Sequence, residues 1–306
     1  MNRKVPGGRL LLAGLALALV QGTASAAEPN EIDGFASPEA VVSDGKHIYV
    51  SNVGEKLDPT AKDGDGFISK LALDGSVVER RFLPAKGAAL DAPKGMAIND
   101  GVLYVADIDR IVGFELASGK QVYSADLSAN ATVFLNDLTF GEGNTLYVSA
   151  TDLGRIFALD VTDKSGKARA LDLPPLPGPN GLKYDKAGKR LLVAGFGTDN
   201  KPTGEIGVIT ELETKPVYKK LTEAKGYFDG IALIGPDRLL TSDWVAFEKK
   251  GVLKTVDMRT GQVAEHLADT PIGGPAAFMV DTSAGRVWLP AMMEGKVKVL
   301  PLPSSN

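Results

Sequence analysis

Six short apolar runs recur along this chain: KHIYVSN (46–52), VLYVADI (102–108), TLYVSAT (145–151), RLLVAGF (190–196), RLLTSDW (238–244) and RVWLPAM (286–292). They alternate or are wholly apolar, as half-buried and fully buried strands do. A turn precedes each one: SDG, NDG, GEGN, DKAGK, IGPD and DTSAG. Before each turn lies a second kind of segment: SPEAVV, APKGMAI, LNDLTF, GPNGLKY, FDGIALI and GPAAFMV. The repeat is therefore segment, turn, strand, and it returns at the spacing of a propeller blade.

Aligning the segments yields one equivalent residue per repeat: Glu39, Lys94, Asn136, Asn180, Asp229 and Ala276, at intervals of 55, 42, 44, 49 and 47. The long first interval contains the insertion GEKLDPTAKDGDG, read as a polar loop overhanging the channel face. The expected fold is an all-β six-bladed β-propeller, with four-stranded blades around a central channel. The last blade is one strand short, and residues from Glu31 to Ala36 are expected to supply its outer strand and hide a sheet edge.

The first strand of a propeller blade lies nearest the axis. The six equivalent residues should therefore gather at one end of the channel, joined by the ends of the second strands: Asn52, Asp107 and Asp243. Taken singly, Asn180-Gly181 and Asp229-Gly230 read as turns. Taken together, Glu39, Asn136, Asn180 and Asp229 offer two carboxylates and two amide oxygens. That set suits a divalent cation, calcium first, with magnesium or manganese also admitted. Lys94 shares the phase and brings a positive charge. It points outward, pairs with Asp107, contacts an anionic substrate, or marks a site without metal.

The same motifs, SPEA, FLNDLTF, GPNGL and FDGIAL, resemble the calcium-dependent six-bladed propellers that include gluconolactonases, regucalcin (senescence marker protein), paraoxonases and strictosidine synthase relatives. The resemblance implies that Glu39, Asn180 and Asp229 bind the metal, that Asn136 binds metal or substrate, and that Asp229 is the general base. Asp107 and Asp243 stand as alternative bases. Phe134 occupies the place where sugar lactonases tend to carry Arg, and Gly230 the place where paraoxonases carry Asn. The implied function is an exported metal-dependent lactonase or ester hydrolase acting on a small molecule. The alternative is a non-catalytic propeller that binds a ligand or protein partner at its channel face.

Other features refine this reading. Lys94, Asp107, Phe134 and Trp244 are the expected substrate contacts, and Phe196, Met292 and Met293 could complete an apolar pocket suited to an aromatic or acyl lactone. His47 falls at the far face and His266 in an outer strand, so neither serves as a base. With no cysteine, disulfides and thiolate chemistry are excluded.

Residues 1–26 read as a signal peptide: basic Arg3, Lys4 and Arg9, an apolar stretch from Leu10 to Val20, and the small-residue site Ala24-Ser25-Ala26. Residues 27–306 form the propeller domain, destined for the periplasm or for secretion, with no membrane insertion after processing. Processing would take the formal charge from −4 to −7. An acidic chain without basic runs argues against nucleic acid as a partner.

Overall fold

The computed structural model describes residues 1, 2 and 30–304 of the 306-residue chain. Apart from Met1 and Asn2, the expected signal peptide, residues 1–26, lies outside the described residues; among the described residues no helix is long and apolar enough to cross a membrane. Residues 30–304 form six antiparallel sheets, each with a path of four strands, and two single turns of 3-10 helix, Ser128–Asn130 and Met292–Glu294. Blade 5 adds a two-residue strand, Ile272–Gly273, against its third strand Lys249–Asp257.

The innermost strands are Pro38–Ser43, Pro93–Asn99, Leu135–Phe140, Pro179–Asp185, Phe228–Gly235 and Met279–Asp281. Neighbouring innermost strands pack against each other around the channel. Blade 1 also hydrogen-bonds directly to blade 6: Ala277 N donates to Glu39 O at 2.9 Å and Val41 N to Ala277 O at 3.1 Å. The second strands are the six apolar runs, and four central residues in each are buried because both sheet faces meet another blade.

That double burial divides the core into one apolar cluster per blade interface. Tyr104, Leu138 and Phe157 pack between blades 2 and 3, for example, and Leu192, Phe228 and Leu239 between blades 4 and 5. Each large side chain so enclosed contributes about 1.5–3 kcal/mol of transfer free energy. The turns do their part locally. Asp100 and Gly101, both at positive φ (47° and 75°), form the two-residue bend between Pro93–Asn99 and Val102–Asp107, a backbone shape that matches strand twist.

The ring closes through the N-terminal strand. Asn30–Asp33 pairs antiparallel with Lys296–Pro301, from Asn30 opposite Val299 to Asp33 opposite Lys296, and becomes the fourth strand of blade 6. The strand is shorter than the expected 31–36 because Phe35 leaves it to pack beside Trp288 and Val297 between blades 6 and 1. Glu31 sits between Lys296 (2.7 Å) and Lys298, and the two ammonium groups pull its carboxyl down to about 2.

Candidate functional site

Glu39, Lys94, Asn136, Asn180 and Asp229 are each the second residue of an innermost strand. In all five the strand register shifts immediately after the first residue: Pro38, Pro93, Leu135, Pro179 and Phe228 are paired, and pairing resumes three residues later. The site residue thus occupies a β-bulge, which turns its side chain out of the ladder and toward the channel. Asn180-Gly181 and Asp229-Gly230 lie within strands, so the turn reading of these dipeptides is corrected. Gly181 serves close approach: a Cβ there would stand 2.0 Å from the carbonyl oxygen of Asp229 in the next blade.

A serine on the second strand braces three of the bulges. Ala40 N donates to Ser51 Oγ (2.9 Å), Asp137 N to Ser149 Oγ (2.9 Å) and Gly230 N to Ser242 Oγ (2.8 Å). Ser149 Oγ donates to Asn180 O (2.6 Å), and Ser242 Oγ to Ala276 O (3.0 Å), tying each bulge to the equivalent residue of the following blade. Asp137 adds another tie, accepting Leu138 N and Leu182 N at 2.8 Å each. Burial still pushes the Asp137 carboxyl up to about 6.

All five residues line one cavity of about 590 Å³ at the channel end. They are buried, with relative exposures of 1–4 %. Eight buried side-chain nitrogen and oxygen atoms in the described residues lack a hydrogen-bond partner, and five belong to this set: Glu39 Oε1 and Oε2, Asn136 Oδ1, Asn180 Oδ1 and Asp229 Oδ1. Native proteins leave few such atoms, and five of the eight fall in this one cavity, which makes it the candidate site. The second oxygen of Asp229 is held by Trp244 Nε1 at 3.0 Å.

The electrostatics are strained accordingly. Burial, then the charge of Asp229, holds the Glu39 carboxyl far above the usual carboxylate range. Burial likewise pushes Asp229 up to about 8, against the pull of Trp244 Nε1. Lys94 goes the other way: burial lowers its ammonium to about 8 against the attraction of Glu39. Lys94 Nζ donates to Ala92 O at 3.1 Å and stands 4.8 Å from the centre of the Phe134 ring.

Two expectations at Asp107 are corrected. Its carboxylate pairs with Arg110 and not with Lys94, and it does not line the cavity as a substrate contact. Its carboxylate is taken by Ala92 N (2.8 Å), Asp91 N (3.1 Å) and the Arg110 guanidinium (2.7 and 2.9 Å). Asp243 is used the same way, by Tyr227 N (3.1 Å), Val245 N (2.9 Å) and Lys254 Nζ (2.7 Å). Asn52 is their counterpart in blade 1, accepting Ala36 N at 3.0 Å. The ends of the second strands therefore hold the loops that enter the first strands.

Phe134, Phe196, Trp244 and Met292 do line the cavity, whereas Met293 turns to solvent at 42 % exposure. Phe196, Trp244 and Phe247 form a mutually packed wall, with ring centres 5.5–6.1 Å apart. Leu57 and Pro59 of the blade 1 insertion overhang the opening, as expected of that loop, and residues 197–200 of a second loop join them. Phe247, Thr151, Asp152 and this second loop were not foreseen. Nothing in their spacing distinguishes them from ordinary surface connections.

The chain's likeness to known proteins lies in its shape. No family model matches it, and no curated protein matches its sequence. Among solved structures it is similar to virginiamycin B lyase from Staphylococcus aureus, at 17% identity and a TM-score of 0.59 over 90% of this chain and 99% of the lyase. A streptogramin B lyase gives 16% and 0.61, covering 90% and 97%, and a chain of a nidogen/laminin complex gives 17% and 0.57, covering 75% and 82%. At such identities the likeness speaks to fold, and the chain is a six-bladed β-propeller.

Proposed function

We propose that the cavity is the active site of a metal-dependent hydrolase acting on lactones or esters. The observation that carries this reading is the set of five orphaned oxygens. Among the described residues no three histidine, cysteine or acidic side chains cluster as a metal site. The candidate set is instead two carboxylates and two amides, an oxygen donor set that fits calcium. Glu39, Asn136, Asn180 and Asp229 would hold the ion, and its charge would return both carboxyls to their ionised form. Bound there, the cation would polarise the substrate carbonyl and stabilise the developing oxyanion.

The chain's own residues supply the rest. Trp244 Nε1 fixes Oδ2 of Asp229 and turns Oδ1 into the cavity, where beside the ion it would take a proton from the attacking water. Phe134, Phe196 and Met292 exclude bulk water from that exchange. Lyase chemistry after the pattern of the antibiotic lyases is less well supported. One such neighbour is a catalytically inactive His-to-Ala variant of virginiamycin B lyase with quinupristin. Here neither His47 nor His266 lines the cavity, and His266 Nε2 is 2.9 Å from Pro301 O.

The test is calorimetric titration of chelator-stripped protein with calcium, followed by a lactone and ester panel with and without chelator. Saturable binding and chelator-sensitive turnover are expected. Calcium binding without turnover on any substrate would favour a binding propeller, and absence of both would end the metal reading. Export belongs to the same proposal: the mature protein should begin at Ala27 on N-terminal sequencing.

A further inference from the structure

Lys94 is the single cationic side chain lining the cavity among the described residues. It is 1 % exposed, and its ammonium, with three protons to donate, has one hydrogen bond, to Ala92 O. No carboxylate among the described residues forms an ion pair with it: Glu39 and Asp152 attract it from a distance across the cavity, and Asp107 is committed to Arg110 and two backbone amides. A buried ammonium so poorly partnered is costly unless an acceptor arrives. Lys94 comes from blade 2, and the Trp244 and Phe247 rings follow the second strand of blade 5, across a six-membered ring of blades. Phe196 joins them from blade 4, and Phe247 is half exposed at the opening.

We propose that the cavity takes an aromatic carboxylate, its anionic group on Lys94 Nζ and its ring against Phe196, Trp244 and Phe247. The substrate class is then an aromatic lactone or ester that carries a free acid group. This rests on the cavity being the substrate site, and it adds the charge and shape of the occupant. A carboxylate beside a buried lysine makes short, charge-assisted hydrogen bonds, and a flat ring gains area on an aromatic wall. A neutral sugar lactone offers neither.

Calorimetric titration with 4-biphenylacetate and with 4-biphenylacetamide, in buffers with and without calcium, tests the proposal without requiring turnover. The wild-type protein should bind the carboxylate about tenfold more tightly than the amide, the scale of one charge-assisted contact. In Lys94→Met the preference should vanish, and in Phe247→Ala both ligands should weaken together. An amide that binds as well as the acid, a preference that survives Lys94→Met, or no binding of either ligand would overturn the proposal. The wild-type comparison stands even if Lys94→Met fails to fold. A clear acid preference in a protein that hydrolyses nothing would remove the hydrolase reading and leave this one intact.

Discussion

Asp229 and Asp107 are both fully enclosed carboxylates at the same end of the channel, and their surroundings are opposite. Asp107 accepts from two backbone amides and an arginine. Asp229 has one indole N–H and an oxygen with no partner. The same contrast separates Glu39, Asn136, Asn180 and Asp229 of the inner ring from the ring at the ends of the second strands. One ring is satisfied by the chain itself, and the other keeps five oxygens without a partner. Burial alone would not have told them apart.

Asp229→Asn should break the comparison most visibly. As the proposed base it should lower kcat on the best substrate by about 10³, within the range for removing a general base. Its melting temperature in chelator should stay level or rise, because a costly buried acid has gone. Undiminished kcat would refute the assignment. Asp107→Ala should do the reverse. It strands Arg110 and two amides, so chemical denaturation should show a loss of about 3 kcal/mol, the scale for breaking a buried pair. A stability unchanged from wild type would show that the second ring is not structural.

Calcium sharpens the contrast at the next scale. At a hundredfold excess over its dissociation constant, a ligand confined to the folded state stabilises by about 2.7 kcal/mol. The melting temperature should rise accordingly, and the rise should disappear in Glu39→Gln/Asp229→Asn while persisting in a variant of the second ring that still folds. Ser149→Ala removes the brace between two bulges and should cost about 1–3 kcal/mol, the penalty for unsatisfied buried backbone groups.

The smallest effect lies at the ring closure. Glu31 has its folded pKa depressed to about 2, so its contribution is complete above the unfolded value near 4.5 and fades as pH falls toward 2. Because Glu31 is more than one-third exposed, solvent screening limits that contribution to below about 1 kcal/mol. Acid titration of stability should show a shallow loss in that window, which Glu31→Gln should flatten.

The blades, their count and the gathering of Glu39, Asn136, Asn180 and Asp229 at one cavity were legible in the sequence because repetition carries phase. Once Pro38-Glu39 and Pro179-Asn180 are recognised as equivalent, their location follows without any pairing having to be guessed. The bulge itself was not legible. Ser51, Ser149 and Ser242 stand in plain view in the second-strand runs, yet their role depends on a one-residue register shift that leaves no mark in composition. Asp107 misled for a related reason. A strand-end aspartate beside the channel looks like chemistry until its amide partners, 15 and 16 residues upstream, are seen. Residues 197–200 were missed because sequence does not say which way a loop folds over an opening.

Closure of blade 6 by Asn30–Asp33 has a consequence for the order of events in synthesis. The first described strand and the last must find each other before blades 1 and 6 each have both neighbours in place. Until then, Lys296–Pro301 presents a bare edge to every other chain nearby, and the five blades that carry Glu39, Lys94, Asn136, Asn180 and Asp229 stand as an open arc. Vectorial folding can assemble the parts of this site, but the hub comes into being only when head meets tail.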